Sequence, residues 1–350
     1  MEEPLSTPGT VTALSRDCAN CGQPEMEGGH PTPLCPDCRQ QFTRLSIPLW
    51  IKLFAGGVCA LLLFGLFTLP RSLSLGIALK KAEKAEAAKN YMTAQRELEQ
   101  FLKSMPNNRE AQGHLLIVAF HNMDLKTFGE TYEKLRNMDL GDKDLVSDID
   151  RVMDKAANYI SNDSFEIFQQ THADPVSLTD TAWSGYFDRN PSDIHARMLY
   201  ASLLFDRQNY TSCDSVLQLI LKKDDEYFTA LLMEASLNRE LGNYDRALQY
   251  NEKLLAFNKE SVMGLGSEAR TLLRQKKDEQ ALKMATEAYR LDPGSCYVQA
   301  TLILAYHYNH RPKDKDVLIK KALAERKDGN DSSQVQYALD VLSKKEKFRD

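Results

Sequence analysis

The sequence predicts an all-α chain: a stack of helical hairpins, preceded by one long apolar helix and a small cysteine-rich unit. Three observations predict it. Positions recur every 34 residues over most of the C-terminal part. Residues 48–70, "PLWIKLFAGGVCALLLFGLFTLP", carry no charge from Leu53 to Leu69. The stretches "CANCG" at 18–22 and "CPDCR" at 35–39 place four cysteines within the first forty residues.

The composition is that of a folded protein. Of 350 residues, 43% are hydrophobic and 27% charged, and 44 Lys and Arg against 49 acids give a net charge of −5. No segment forms a polybasic surface, so bulk attraction to nucleic acid is not expected. Seven cysteines over this length do not make a disulfide scaffold. Cys213 and Cys296 stand alone in helical patterns and read as buried free thiols.

The first element is the cysteine unit. Cys18, Cys21, Cys35 and Cys38 follow the spacing C-x2-C-x13-C-x2-C. Each Cys-x-x-Cys turn can present two sulfurs to one metal, and a second turn closes a tetrahedral site of the kind zinc prefers. Two disulfides or a redox dithiol are the alternatives. Gly28 and Gly29 can supply a tight turn between the pairs, and His30 reads as a surface residue because four sulfurs already saturate a metal. Both knuckles resemble those of a zinc ribbon over about residues 16–40, although Arg39 stands where a glycine often follows. The resemblance implies structural Zn2+ held by the four cysteines, with most of the folding energy of so small a unit coming from the metal.

The second element is the apolar run. Twenty-three helical residues cover about 34 Å, enough for a hydrocarbon core of about 30 Å. Trp50 suits an interfacial position, and Lys52 could snorkel. The expectation is one membrane span over residues 47–71. Thiolate metal sites persist best in reducing cytosol, which argues for a cytoplasmic ribbon and repeats on the opposite side. The flanks argue against it: Arg39 and Arg44 precede the run, whereas Arg71, Lys80, Lys81, Lys84 and Lys89 follow it.

The third element is the repeat. Tyr210, Tyr244, Asp278 and Pro312 are 34 apart, as are Cys213, Ala247, Ala281 and Lys315. Ala201, Ala235, Ala269 and Ile303 keep the same step, and so do Ile220, Leu254, Ala288 and Ala322. An earlier block pairs Tyr91 with Leu125, Ala94 with Phe128, Leu98 with Tyr132 and Phe101 with Leu135. Tyr91 and Tyr210 differ by 119 residues, three and a half periods, so an irregularity must lie between the blocks. Small residues at the helix crossings, and Pro106 and Pro293 after second helices, resemble the tetratricopeptide (TPR) family. No single hairpin buries enough apolar surface, so several must stack.

The expected organisation follows. Residues 1–15 form a flexible N-terminus, 16–46 the zinc-ribbon-like module and 47–71 the span. A helical linker and two repeats occupy 72–142, an irregular helical joint 143–193, about four repeats 194–329, and a capping helix 330–350.

The TPR resemblance implies a concave face lined by the first helix of each pair. The equivalent positions here include Phe205, Arg239, Arg270, Arg274, Tyr297, His307 and Tyr308. Arginine and aromatic side chains make good anchors for a protein or peptide partner; ordinary surface or packing roles are the alternative. The carboxylate clamp used by some family members is not matched, since Ser202, Ser236, Arg270 and Leu304 occupy its asparagine positions. No H-E-x-x-H, G-x-S-x-G or Walker loop is present. "GLGS" at 264–267 falls inside a repeat helix, and His307 and His310 have no further ligand at metal spacing. The resulting expectation is a membrane-anchored, non-enzymatic scaffold that recruits a protein partner. The alternative is a zinc-ribbon regulator of transcription or membrane signalling, with the repeats as sensor.

Overall fold

The computed structural model describes residues 17–43, 47–136, 138, 140–171, 178–325 and 332–349, with the side chains of 66–75 and 332 outside that description. The expected flexible N-terminus at 1–15 lies outside the described residues. The chain divides into two compact units, 1–72 and 73–350.

In the first unit, Cys18 to Gly22 close a tight turn: the Gly22 N–H donates to the Cys18 carbonyl (2.9 Å), with Gly22 at φ +74. Only glycine adopts that backbone readily. The second cysteine pair opens a helix, α1 (Pro36–Thr43), with proline at its first position and Asp37 in its first turn. No strand occurs among the described residues of this unit. The expected ribbon is therefore corrected to a cysteine cluster between a turn and a helix start.

Helix α2 (Leu49–Ala87) carries the apolar run. Leu49, Trp50, Leu53, Phe54, Leu61, Leu62, Leu63 and Phe64 on it are exposed. The expected membrane span, and the localisation built on it, are corrected: among the described residues no helix is long and apolar enough to cross a membrane. Residues 66–71 of the expected span lie outside the described side chains.

The second unit is a TPR-like stack of α-helices. Ala82 and Ala85, near the end of α2, are buried against α3 (Tyr91–Ser104) and α4 (Arg109–His121), which makes the end of α2 the first helix of a hairpin. Helices α5 (Leu125–Leu135) and α6 (Lys143–Ala156) continue the stack on α4. A short 3-10 turn, Ala157–Tyr159, follows. Helices α7 (Asp163–Thr171) and α8 (Asp180–Arg189) then form an aromatic knot in which Phe165, Phe168, Trp183 and Tyr186 are buried together. Four regular hairpins come next: α9 (Ile194–Asp206) with α10 (Tyr210–Lys223), α11 (Phe228–Glu240) with α12 (Tyr244–Phe257), α13 (Val262–Arg274) with α14 (Asp278–Leu291), and α15 (Cys296–Tyr308) with α16 (Pro312–Ala324). Helix α17 (Ser332–Leu342) ends the series.

The hairpins close at fully buried small residues: Ala201 opposite Cys213, Ala235 with Ala247, Ala269 with Ala281. Cys213 donates its thiol to the Ala201 carbonyl (3.3 Å), and burial pushes that thiol up to about 12. It packs as a small apolar residue, whereas Cys296 is only half-buried.

The backbone marks the period independently. Residues with positive φ occur at Lys89 and Met123, then at Gln208, Gly242, Lys276, His310 and Lys344. Each is the left-handed residue after a first helix. The next residue's N–H reaches back to the helix, as in Asn243 to Asn238 (2.8 Å) and Lys277 to Leu272 (3.0 Å). The step is 34 residues except from Met123 to Gln208, where it is 85, two and a half periods. Five α-helices, α5 to α9, fill that step, where two whole periods would hold four.

The two blocks are tied across this irregularity. The Lys259 N–H donates to the Lys89 carbonyl (3.0 Å), and Lys89 Nζ donates to the Ala256 carbonyl (2.9 Å). Glu260 accepts from the Thr93 N–H and hydroxyl, both at 2.7 Å. Asn258 Nδ2 donates to the His121 carbonyl and to Asn122 Oδ1, both at 3.0 Å.

Candidate metal centre and A-helix face

The sulfurs of Cys18, Cys21, Cys35 and Cys38 all lie within 4.8 Å of one another, so the four cysteines together could bind a metal ion. None is in a disulfide, and the Cys21 and Cys35 sulfurs are 3.6 Å apart. Cys18, Cys35 and Cys38 are buried, while Cys21 is exposed. Backbone and side-chain ties hold the cluster. The Cys18 N–H donates to the Gln23 carbonyl (2.8 Å), and the Ala19 N–H to the Pro33 carbonyl (2.8 Å). Asn20 Nδ2 donates to Cys38 Sγ (3.3 Å). Arg39, where the ribbon pattern often has glycine, pairs with Glu27 (2.8 Å) and donates to the Thr32 carbonyl, so it braces the intervening loop. His30 is exposed.

The thiols of Cys18 and Cys21 differ in their electrostatics. A hydrogen bond with the Cys35 backbone holds the Cys18 thiol down at about 6. The Gln23 backbone pulls Cys21 the same way, but the neighbouring Cys38 and Cys35 thiols outweigh it and push Cys21 up to about 12. The Cys18 and Cys21 thiols are thus pushed in opposite directions, as expected of like acids close together.

In the second unit, the sequence-predicted face residues separate into two groups. Arg239, Arg270, Arg274, Tyr297 and Tyr308 come together. Phe205 does not: it packs edge-to-face on Tyr210 (5.6 Å) in another part of the core. His307 is exposed and meets Tyr308 edge-on (4.9 Å).

The centre of the first group is Arg270, which is 7% exposed. Its guanidinium lies 3.9 Å over the Tyr297 ring. Its Nε donates to Thr301 Oγ1 (2.8 Å), and one Nη donates to Gln334 Oε1 (3.0 Å) and to the Tyr297 carbonyl (3.4 Å). The Tyr297 ring fits because residue 266 is glycine: a Cβ there would come within 2.6 Å of it. Arg274 pairs with Glu240 (2.7 Å), and Arg239 contacts Glu240 more loosely (3.7 Å).

The sequence did not show what covers this face. Helix α17 packs on α15 and reaches α13 through the Arg270–Gln334 bond. Val335, Ala338 and Val341 are its buried stripe. Beyond it, Phe348 is buried beneath Arg274 (5.0 Å). Arg349 stacks on Tyr308 (3.7 Å) and pairs with Asp278 (Nη2 to Oδ2, 2.9 Å). The left-handed Lys344, one period after His310, marks α17 as a further first helix; that mark lies in the backbone, not in a residue type shared along the sequence.

A cleft of about 590 Å³ lies at the junction of the two blocks, lined in part by Glu86, His114, His121, Asp148, Arg151 and Lys155. His121 stacks on Tyr91 (4.3 Å), and burial lowers it to about 4. His114 bonds Glu86 (2.8 Å), which raises it. Nothing in the sequence pattern pointed to this cleft, because its walls come from segments more than a hundred residues apart.

No protein-family model matches the chain, and no curated protein matches it. Among solved structures, the chain is similar to a tetratricopeptide repeat protein from Parabacteroides merdae, at 12% identity over 76% of this chain and 99% of that one, with a TM-score of 0.39. It is also similar to MamA from Desulfovibrio magneticus, at 13% identity over 47% and 97% with a TM-score of 0.40. A third is YrrB, described as a TPR protein with an unusual peptide-binding site, at 14% identity over 45% and 80% with a TM-score of 0.34.

Proposed function

We propose that this chain is a protein-recruiting scaffold that carries a structural zinc centre. The reading rests chiefly on the A-helix face, where arginine and aromatic side chains already grip a helix, its own α17, by stacking, hydrogen bonding and a small apolar stripe. These are the side chains that anchor protein partners.

Zinc fits the cysteine cluster on two counts. Four sulfurs at about 2.3 Å from a tetrahedral zinc lie about 3.8 Å from one another, close to the 3.6 Å between Cys21 and Cys35. A divalent cation would also offset the mutual opposition of the four thiolates. A site with four thiolates is closed, so its role is to hold the turn and α1 together rather than to activate water.

Capture tests the recruiting face. The full chain, used as bait, is expected to retain a set of proteins that the Arg239→Glu and Arg274→Glu variants lose while keeping their helical circular dichroism. Unchanged capture by both variants would refute the face. Metal analysis of the purified chain tests the centre: one zinc per chain is expected, and none in Cys38→Ser.

A further inference from the structure

Helix α17 belongs to the repeat by sequence register but not by position. Lys344 keeps the 34-residue step, which makes α17 the first helix of a further hairpin. A first helix in that place should lie against the preceding second helix, as α15 lies against α14. Instead α17 packs chiefly on α15, and its contacts run back along the array. Gln334 bonds Arg270 on α13. Tyr337 sits in the field of Arg274, Glu240, Arg270 and Arg239, two of them on α11. Arg349 pairs with Asp278, two hairpins back. The segment therefore lies across the face where a ligand helix would lie.

The fit is incomplete in one respect. Arg239 and Arg274 share a single close carboxylate, Glu240, among the described residues. No described carboxylate lies within 4 Å of Arg270, which is as deeply buried as Arg239. Its bonds go to a hydroxyl, a carbonyl and the neutral amide of Gln334. A buried guanidinium bonds a carboxylate more strongly than an amide oxygen.

We propose that the C-terminal segment is an internal stand-in for a partner helix. The true ligand is an amphipathic helix with the small aliphatic stripe of Val335, Ala338 and Val341 and a carboxylate where this chain has Gln334. Such a helix displaces α17. The segment closes the face in its absence, with Phe348 and Arg349 as the latch. This rests on the scaffold reading above.

The test uses the full chain and two labelled synthetic peptides, one matching residues 332–350 and one with Gln334→Glu. The Gln334→Glu peptide should bind about tenfold more tightly, the difference made by one charge-assisted bond. As it binds, the amides of 333–342 in the chain should lose protection from hydrogen exchange. Arg270→Gln should erase the preference, while Arg270→Lys should keep part of it. Asp278→Asn, which loosens the latch, should tighten both peptides.

Four results would each overturn the proposal. One is no uptake by either the chain or the Asp278→Asn variant. Another is uptake that leaves α17 protected. The third is equal affinity for the two peptides. Concentration-dependent dimers that exchange α17 between copies would also overturn it, in favour of self-association. If the peptides fail while Arg239→Glu and Arg274→Glu still lose captured proteins, the scaffold reading stands with a different ligand. If both experiments fail, the face recruits nothing.

Discussion

The cysteine unit and the helical array solve the same problem by different physics. The cysteine unit has one short helix, a core of three cysteines with Leu34 packed on it, and a handful of backbone bonds. It cannot bury enough apolar surface to offset the entropy of ordering its chain. The array buries alanine, leucine and aromatic residues in successive layers, each hairpin covering the next. With zinc bound as proposed, one unit would depend on a few strong ligand bonds, and the other on many weak contacts spread along the chain. Loss of a single group should therefore be catastrophic in the first and graded in the second.

Metal removal should break the comparison open. Chelation, or Cys35→Ser, should unfold the cysteine unit, because structural zinc provides on the order of 10 kcal/mol to such a site. The thermal transition of the array should stay where it is. Proton NMR of the unit and calorimetry of the whole chain would report the two separately. A joint loss would mean that the units are not independent.

The tie between the blocks is the array's nearest approach to a single critical group. Glu260 accepts two short bonds from Thr93. Glu260→Ala should cost about 3 kcal/mol, at roughly 1.5 kcal/mol for each bond to a charged group. It should also split one unfolding transition into two, as seen in urea by circular dichroism. A single unshifted transition would show that the tie contributes little.

A buried acid gives the array a pH dependence. Burial, reinforced by Asp214, raises Glu234 from its ordinary 4.5 to about 7, although Gln218 (2.7 Å) and Asn238 (3.1 Å) bond it. The fold thus prefers the protonated acid. Stability should be greatest below about pH 4.5 as far as this group is concerned, and should fall as pH rises to about 7. In Glu234→Gln that decline should flatten, and urea midpoints measured between pH 5 and 8 would show it.

The smallest effect belongs to the turns. Gly242 is the only glycine among the seven left-handed turn residues. Gly242→Val should cost about 1–2 kcal/mol, while Lys276→Gly should gain less than 1 kcal/mol. Melting temperatures would give the sign of each.

How much of this was legible in sequence follows from how local each feature is. The repeat was readable because packing of paired helices imposes the same residue at the same crossing, as with Ala235, Ala247, Ala269 and Ala281. The phase slip was also readable from Tyr91 and Tyr210. The cysteine cluster followed from spacing alone, but its surroundings did not, because Pro36 and Asp37 start a helix where a ribbon was expected. The membrane span was read from hydropathy and is corrected by the structure. Arg239, Arg270 and Arg274 were placed on one face by register. Their cover was hidden, since Gln334, Phe348 and Arg349 meet them only through long-range folding. Phe205 shared the register and still went into the core, because Tyr210 offered it a packing partner.

The bonds between residues 89–122 and 256–260 have a consequence for how this chain can change over time. An open solenoid can gain or lose a hairpin at small cost, because each repeat touches only its neighbours. Here a duplicated hairpin between Asn122 and Asn258 would carry Glu260 away from Thr93 and break the closure. Repeat number within that interval should be fixed among descendants of this sequence, while copies added after Ser261 would meet no such constraint from it.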